Sequence, residues 1–200
     1  MTTSTAPKRK ITRGDIIPIE DYAKERKTLR RDLVEKKKLR RLEVGPVATF
    51  YFENYETMWH QTHEMLYIEK GGEEQIADEL QAYNPLIPQG RELVATVMFE
   101  IDDPKRRANF LGKLGGVEER MFLEIDGRRS DSQAEADVDR TSADGKASAV
   151  QFVHFPLDPT DAAAFKTPGT RVILGIDHPE YGHMVVMPEA VRAALAEDLD

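Results

Sequence analysis

The stretch NYETMWHQTHEMLYIEKGGEEQIADELQAYNPLIPQG, from Asn54 to Gly90, decides the fold because it holds the longest helical pattern of the chain. Asn54 is a suitable N-cap, since its side-chain oxygen can accept from the free amides of a helix's first turn. Gly71 and Gly72 end this helix, and a second helix is expected from Glu73 to Tyr83. Residues with helical spacing form the buried face of the first helix: Tyr55, Met58, Trp59, Thr62, Met65 and Leu66.

The regions around this helix pair read mainly as strands joined in hairpins. The expected strands are Leu39–Val44, Val47–Phe52, Glu92–Ile101, Glu119–Ile125, Ser148–Phe155, Arg171–Ile176 and His183–Met187. Further helices are expected at Glu20–Lys38, from Asp103 to Gly115-Gly116, at Asp158–Lys166 and from Pro188 to Leu199. Hairpins are more evident than βαβ units. We therefore predict an α+β fold, with a mostly antiparallel sheet of six to seven strands and helices packed on it.

The length of 200 residues fits one domain. Residues 1–10 are small, polar and basic, so we expect a disordered N-terminal tail followed by a single domain over 11–200. The stretch 128–146 is rich in Ser, Asp, Ala and Gly, which predicts a flexible surface excursion, with room for a short edge strand.

Composition excludes several classes of function. The chain has no cysteine, so it cannot supply thiolate ligands for zinc or for an iron–sulfur cluster. A net charge of -8 argues against nonspecific binding of nucleic acid, and the absence of a long apolar run argues against a membrane span. A cytoplasmic location is the expectation.

The segment Lys24–Arg41 is strongly basic; it is either a solvated helix face or a surface for an acidic partner.

A polar stripe flanks the buried face of the first helix and carries the candidate metal ligands Glu56, His60 and His63, with Tyr67 beside them and Glu64 further towards solvent. Imidazole and carboxylate groups one turn apart can meet a single Fe, Zn or Mn ion. The spacing matches no known metalloprotease or di-iron motif, and a further donor such as His154, Asp177 or His178 would be needed. The alternative interpretation is a half-exposed flank stabilised by ordinary helix pairs.

Two other clusters are weaker candidates. Asp177 and His178, with Tyr181 and His183, form a second group, which good turn chemistry also explains. Arg106, Arg107 and Lys113 lie near a glycine-rich segment, so a small-molecule or nucleotide site is a third possibility. The segment does not meet the order of a phosphate-binding loop, and a helix end followed by a turn accounts for it.

Several blocks of sequence resemble an uncharacterised bacterial domain-of-unknown-function family over nearly the whole chain. The blocks are RGDI at 13–16 with Tyr22, KKKLRR at 36–41, GPVATFYFEN at 45–54, EML at 64–66, YNPLIP at 83–88, SAVQFVHF at 148–155 and DHPEY at 177–181. The block ELQAYNPLIPQG is the most specific. Glu64, Glu79, Tyr83 and Asn84 follow the family pattern, whereas His60 and His63 depart from it, which weakens the metal hypothesis.

The resemblance implies a setting as well as a family. Its members are typically encoded beside a rubrerythrin and an iron–sulfur protein related to heterodisulfide reductase, which implies a redox or peroxide-defence system. We therefore expect a non-catalytic accessory or binding protein whose partner carries the metal centre; the alternative is a metal-dependent enzyme with a His/Glu site on the central helix. The candidate binding residues are Glu64, Tyr67, Glu79, Tyr83, Asn84, Arg106 and Arg107.

Overall fold

A computed structural model describes residues 7–135 and 145–200, and this part of the chain contains six α-helices and nine β-strands. The helices are α1 (Ile19–Lys37), α2 (Tyr55–Glu69), α3 (Gly72–Tyr83), α4 (Pro104–Leu111), α5 (Pro159–Lys166) and α6 (Glu189–Ala196). The strands are β1 (Arg41–Val44), β2 (Ala48–Phe52), β3 (Glu92–Phe99), β4 (Met121–Ile125), β5 (Arg128–Asp131), β6 (Gln133–Ala134), β7 (Val150–Pro156), β8 (Val172–His178) and β9 (Tyr181–Val186).

The described strands form two antiparallel sheets, one of five strands in the order β1-β2-β3-β7-β6 and one of four in the order β5-β4-β8-β9. The predicted α+β class, the single domain and the antiparallel pairing are confirmed. The expectation of one sheet with six to seven strands is corrected to nine strands in two sheets. The two extra strands, β5 and β6, are short and largely polar, so they lack the apolar alternation by which a strand is recognised.

The main hydrophobic core joins the two sheets. Phe50 and Phe155 of the five-stranded sheet belong to the same buried cluster as Leu123 and Leu174 of the four-stranded sheet. Burying apolar side chains between two sheets is the main source of stability of such a fold. Side chains from α5 and α6 extend this cluster, and α1, α2 and α3 take no part in it.

A second, smaller cluster attaches the helix pair to the other face of the five-stranded sheet. Met58 and Leu66 of α2 and Ile76 of α3 pack with Val94 of β3 and with Ile11 from the segment before α1. The helix pair therefore docks by its apolar side on a sheet, as the spacing of residues 54–83 predicts. A further side of α2 packs against α1.

Of the element boundaries that differ from those expected, two follow from packing in the main core. α4 ends at Leu111 rather than at Gly115-Gly116, because the chain turns so that Leu114 enters the main core. The loop expected at Asp177–Gly182 shortens to a two-residue turn, because Tyr181 is drawn into the same core and extends both strands of the hairpin.

The predicted N-terminal tail and the predicted excursion at 128–146 lie partly outside the residues that the structure describes. The predicted tail at 1–10 is described only from residue 7, where Lys8 pairs with Asp15 and Arg9 donates to the backbone of Pro88. Residues 136–144, the centre of the predicted excursion, lie outside the described residues. Within 7–135 and 145–200, no helix has both the length and the apolar composition that a membrane span requires.

Candidate functional site

The candidate site lies where α1 crosses the polar side of α2, and its central contact is made by Glu64. The Tyr22 hydroxyl donates to Glu64 Oε1 at 2.7 Å. Arg26 donates to both carboxylate oxygens, from Nε at 2.8 Å and from Nη2 at 2.7 Å. Two-point binding of this kind fixes the relative position of guanidinium and carboxylate. Since Tyr22 and Arg26 are one helical turn apart, α1 presents both groups to α2 at once.

α2 itself is positioned as its sequence predicts. Asn54 Oδ1 accepts from the Thr57 amide at 3.0 Å, and the Thr57 hydroxyl accepts from the Asn54 amide at 2.9 Å, so each residue satisfies a free amide of the first turn. This reciprocal cap fixes the start of the helix and hence the direction in which Glu64 points.

The electrostatics of Glu64 make it a permanent anion near neutral pH. The hydrogen bonds from Arg26 lower its pKa to about 2, against the opposing effect of burial. Burial and the nearby Glu64 charge raise the pKa of the Tyr22 hydroxyl, so this group stays protonated. A carboxylate that is always charged and a phenol that is always neutral are poor proton-transfer groups at pH 7. The arrangement is suited to holding α1 against α2.

Tyr67 supports the same contact from the next turn of α2. The Arg26 guanidinium lies 4.6 Å from the centre of the Tyr67 ring, within the range of a cation–π interaction. Tyr67 is half-buried, and its remaining surface faces two open cavities.

His60 and His63 are buried beneath α1, although the sequence places them on a half-exposed flank. His63 is 0% exposed and uses both ring nitrogens: Nδ1 lies 2.7 Å from the carbonyl oxygen of Trp59, and Nε2 lies 3.2 Å from the amide nitrogen of Ile17. The first bond requires Nδ1–H to donate and the second requires Nε2 to accept, so His63 is neutral. Burial lowers the pKa of both histidines. His60 Nε2 lies 3.4 Å from the Tyr22 hydroxyl.

The candidate metal ligands are not brought together. Glu56 lies on the surface, where its carboxylate pairs with Lys36 at 2.5 Å. Within 7–135 and 145–200, no three His, Asp or Glu side chains are grouped as a metal site requires. His154, considered as a further donor, instead lies between Glu92 (2.9 Å) and Glu135 (2.8 Å), with one carboxylate on each ring nitrogen.

The candidate residues on α3 and beyond it have other contacts. Glu79 accepts from Gln75 at 2.7 Å, and the Tyr83 hydroxyl accepts weakly from Gln61 at 3.4 Å. Asn84 holds the segment before α1, since its Oδ1 accepts from the Ile11 amide and its Nδ2 donates to the Ile11 carbonyl. Within the described part of the chain, the hydrogen bonds of these three residues do not reach Glu64.

The remaining candidates lie on other elements. Arg106 and Arg107 belong to α4, where Arg107 donates to the Ile101 carbonyl, and Lys113 lies 3.9 Å from Glu180. In the β8–β9 hairpin, Asp177 pairs with Arg129, and the Tyr181 hydroxyl holds the turn between β1 and β2. His178 Nδ1 accepts from the Glu180 amide, which is turn chemistry.

A groove opens beside the Glu64 contact. It has a volume of about 640 Å³, and its wall is formed by the segment before α1, by the start of α1 and by parts of α2 and α3. Its apolar lining is provided by Ile16, Ile17, Pro18, Ile19, Leu66 and Ile76. Charged residues are also part of the lining, among them an Arg13–Glu73 pair with Nε and Oε1 2.5 Å apart. A second cavity of about 620 Å³ follows α1, and both cavities are lined by Ala23 and Tyr67.

Sequence reasoning identified Glu64 and Tyr67 as candidates but missed their partners. In the sequence, Tyr22 stands out only as part of the family resemblance and Arg26 only as part of the basic segment Lys24–Arg41. The sequence nevertheless contained a signal for this contact. Tyr22 and Arg26 lie one turn apart on α1, whose apolar face has few residues, and a tyrosine and an arginine so placed can together bind a carboxylate. The Ile17 amide, which donates to His63, carries no sequence signal because every residue other than proline has one.

Comparison with known proteins gives a family and a fold but no activity. Residues 10–199 match the family model described as "Protein of unknown function (DUF3501)". The crystal structure of a novel protein of unknown function from Burkholderia pseudomallei superposes with a TM-score of 0.88 and 36% sequence identity. The alignment covers 95% of this chain and 99% of that one. A search of curated proteins gives no match.

Proposed function

Because the chain belongs to the DUF3501 family of proteins of unknown function, we propose a role from its site: a non-catalytic accessory protein that binds a partner protein in the groove beside Glu64. The observation that carries this proposal is an open apolar groove next to the contact that holds α1 on α2. Three hydrogen bonds among Tyr22, Arg26 and Glu64 hold α1 against α2. Residues of both helices, Ile19 and Ala23 of α1 and Leu66 and Tyr67 of α2, line the groove beside this contact. A preformed apolar surface with charged residues around it is typical of recognition sites.

The extent of the groove favours a segment of protein as its occupant. The two cavities adjoin along α1, since Ala23 and Tyr67 line both of them. Two apolar side chains on its helices are left in solvent: Val34 of α1 is 57% exposed and Ile68 of α2 is 61% exposed. An extended surface with exposed apolar side chains suits a peptide segment better than a compact ligand.

The proposed partner follows the resemblance described above. It is a rubrerythrin-like protein or an iron–sulfur protein of a bacterial redox or peroxide-defence system. A chain without cysteine cannot itself supply the thiolates of an iron–sulfur centre, so the redox chemistry would belong to the partner.

Calorimetric titration of the full chain with each of these two proteins, purified from the same bacterium, tests the proposal. Ala23→Trp would fill the meeting point of the two cavities, and Ala108→Trp on α4 is the matched control, since both alanines are exposed and helical. We expect Ala23→Trp to weaken binding at least about tenfold, or about 1.4 kcal/mol, and the control to bind as the wild type does. Failure of both proteins to bind the wild-type chain, or equal binding to both variants, would contradict the proposal.

A further inference from the structure

Four cationic side chains line the second cavity on one side of α1: Arg26, Lys27, Arg30 and Arg31. We call them the basic stripe. They occupy successive turns of the helix, between Ala23 at one end of the cavity and Val34 at the other. At 1.5 Å per residue, these ends are about 16 Å apart along the helix axis. The cavity is therefore long enough to contact about three turns of a helix, and the basic stripe occupies its middle part.

The charges of the stripe are only partly neutralised within the chain. Arg26 is paired with Glu64, and Arg31 lies 2.9 Å from Asp32, whose side chain is 55% exposed. Lys27 and Arg30 are exposed and have no ion pair among residues 7–135 and 145–200. Two cations therefore face the cavity with their charge uncompensated.

This arrangement costs the helix stability. Arg26 and Arg30 are four residues apart, as are Lys27 and Arg31, and like charges at this spacing destabilise a helix. The positive charge of the stripe contrasts with the net charge of the whole protein, which is -8. A basic surface on an acidic protein directs the approach of acidic partners to that one face.

We propose that the basic stripe binds the carboxylates of an acidic segment of the partner protein, with Lys27 and Arg30 as the principal contacts. The inference rests on the proposed function, because the stripe shares Ala23 and Tyr67 with the groove in which the partner is proposed to bind. The acidic part of the segment lies along α1 and its apolar part enters the groove. Val34 contacts an apolar side chain at the far end.

Protein carboxylates fit this surface better than nucleic acid does. A single-strand binder presents aromatic rings on which bases stack, and the aromatic ring of this cavity, Tyr67, is already covered by Arg26. The exposed apolar surface of Val34 has no counterpart on a phosphate chain.

Fluorescence anisotropy with a labelled glutamate-rich peptide tests the inference. The peptide has about ten residues, which as a helix span the second cavity, and includes leucines; a second peptide carries glutamine in place of every glutamate. We expect the wild-type chain to bind the first peptide, more weakly as salt is raised. Lys27→Glu combined with Arg30→Glu should weaken binding at least about tenfold. The second peptide should show a similar loss.

Lys105→Glu combined with Arg106→Glu on α4 is the matched control, since it reverses two exposed helical cations elsewhere. It should change binding less than about twofold. Circular dichroism and thermal unfolding establish that both double variants are folded. Lys27→Gln with Arg30→Gln, which removes charge without reversing it, should give an intermediate loss.

Three outcomes would overturn the inference: no binding of the acidic peptide by the wild type, equal binding by the Lys27→Glu/Arg30→Glu variant, or tighter binding of a single-stranded oligonucleotide of similar length. The purified partner separates this inference from the proposed function. If Ala23→Trp abolishes partner binding and the double charge reversal leaves it unchanged, binding in the groove is supported and the proposed role of the basic stripe is wrong. If neither change affects partner binding, the proposed function is wrong as well.

Discussion

The Tyr22 hydroxyl donates a hydrogen bond to Glu64 Oε1 at 2.7 Å, joining residues that are 42 positions apart in sequence. Arg26 completes the contact by binding both oxygens of the same carboxylate. This contact determines how α1 lies on α2, and the groove and the basic stripe both depend on that position. The first prediction concerns the contribution of this contact to the free energy of unfolding.

Glu64→Gln should destabilise the fold by about 2 kcal/mol. The variant removes the anion that neutralises Arg26 in a partly buried site, where a hydrogen bond to a charged group contributes about 1.5–3 kcal/mol. Urea denaturation followed by circular dichroism measures the loss. The pH dependence has a definite sign: because the folded pKa is lowered, the contribution is present above about pH 4.3 and is lost as pH falls towards 2.

Glu56→Gln is the matched control, since it removes a carboxylate from the same helix at an exposed position. Its loss should be below about 1 kcal/mol, as for other surface ion pairs. Losses of equal size in the two variants would show that the Glu64 contact has no special role.

The second prediction concerns His63 and metals. Because both ring nitrogens already form hydrogen bonds, Zn²⁺ should not raise the unfolding temperature of the wild-type chain. His63→Leu should destabilise the fold by about 1–3 kcal/mol, because the Ile17 amide loses its acceptor. Metal analysis after expression in metal-supplemented medium gives the complementary measurement. A stoichiometric metal that His63→Leu removes would instead support the enzyme hypothesis.

The third prediction is a pH effect at His154. Burial alone would lower the pKa of this histidine, but its hydrogen bonds to Glu92 and Glu135 outweigh burial and raise it. A raised folded pKa means that the stabilisation is fully present below about pH 6.5 and is lost as pH rises through the folded value. His154→Gln should therefore lower the free energy of unfolding more at pH 6 than at pH 8.5. A difference between wild type and variant that grows with pH would contradict this sign.

The fourth prediction concerns the contact between the two sheets at Tyr181. Its hydroxyl donates to the Val44 carbonyl at 2.7 Å and lies 3.2 Å from the amides of both Val47 and Ala48. Tyr181→Phe leaves these backbone groups without a partner in a buried place, which should cost about 1–3 kcal/mol. Tyr51→Phe, which loses only a 3.3 Å bond to the exposed Glu100, should cost less than about 0.5 kcal/mol. Equal unfolding temperatures of the two variants would contradict the prediction.

Local patterns in the sequence were sufficient for most of the elements. The Asn54 cap, the helix α2 and the strand β3 each depend on neighbours within a few positions, and all three are confirmed. The buried face of α2 is broader than expected, since it includes His60 and His63. A short edge strand was allowed within 128–146, where β5 and β6 lie at the edges of the two sheets, but their polar residues gave neither their number nor their bounds. The division into two sheets depends on which strands pair across long separations, which hydrophobic periodicity does not encode.

The candidate site was only partly predictable for the same reason. Glu64 and Tyr67 could be singled out as polar residues beside a buried helix face. Their partners Tyr22 and Arg26 lie on another helix, and the burial of His60 and His63 follows from α1 covering a side of α2 that was expected to face solvent. The docking of one helix on another is a tertiary property, and the residues of α2 alone do not specify it.

Amide hydrogen exchange of the chain, alone and with the purified rubrerythrin-like or iron–sulfur protein, tests the central claim most directly, because it locates the bound surface without any substitution. We predict slower exchange in residues 16–31 and 64–76, which carry the groove and the basic stripe, and unchanged exchange in α4. Protection confined to α4, α5 or α6, or exchange that neither protein alters anywhere, would contradict the account.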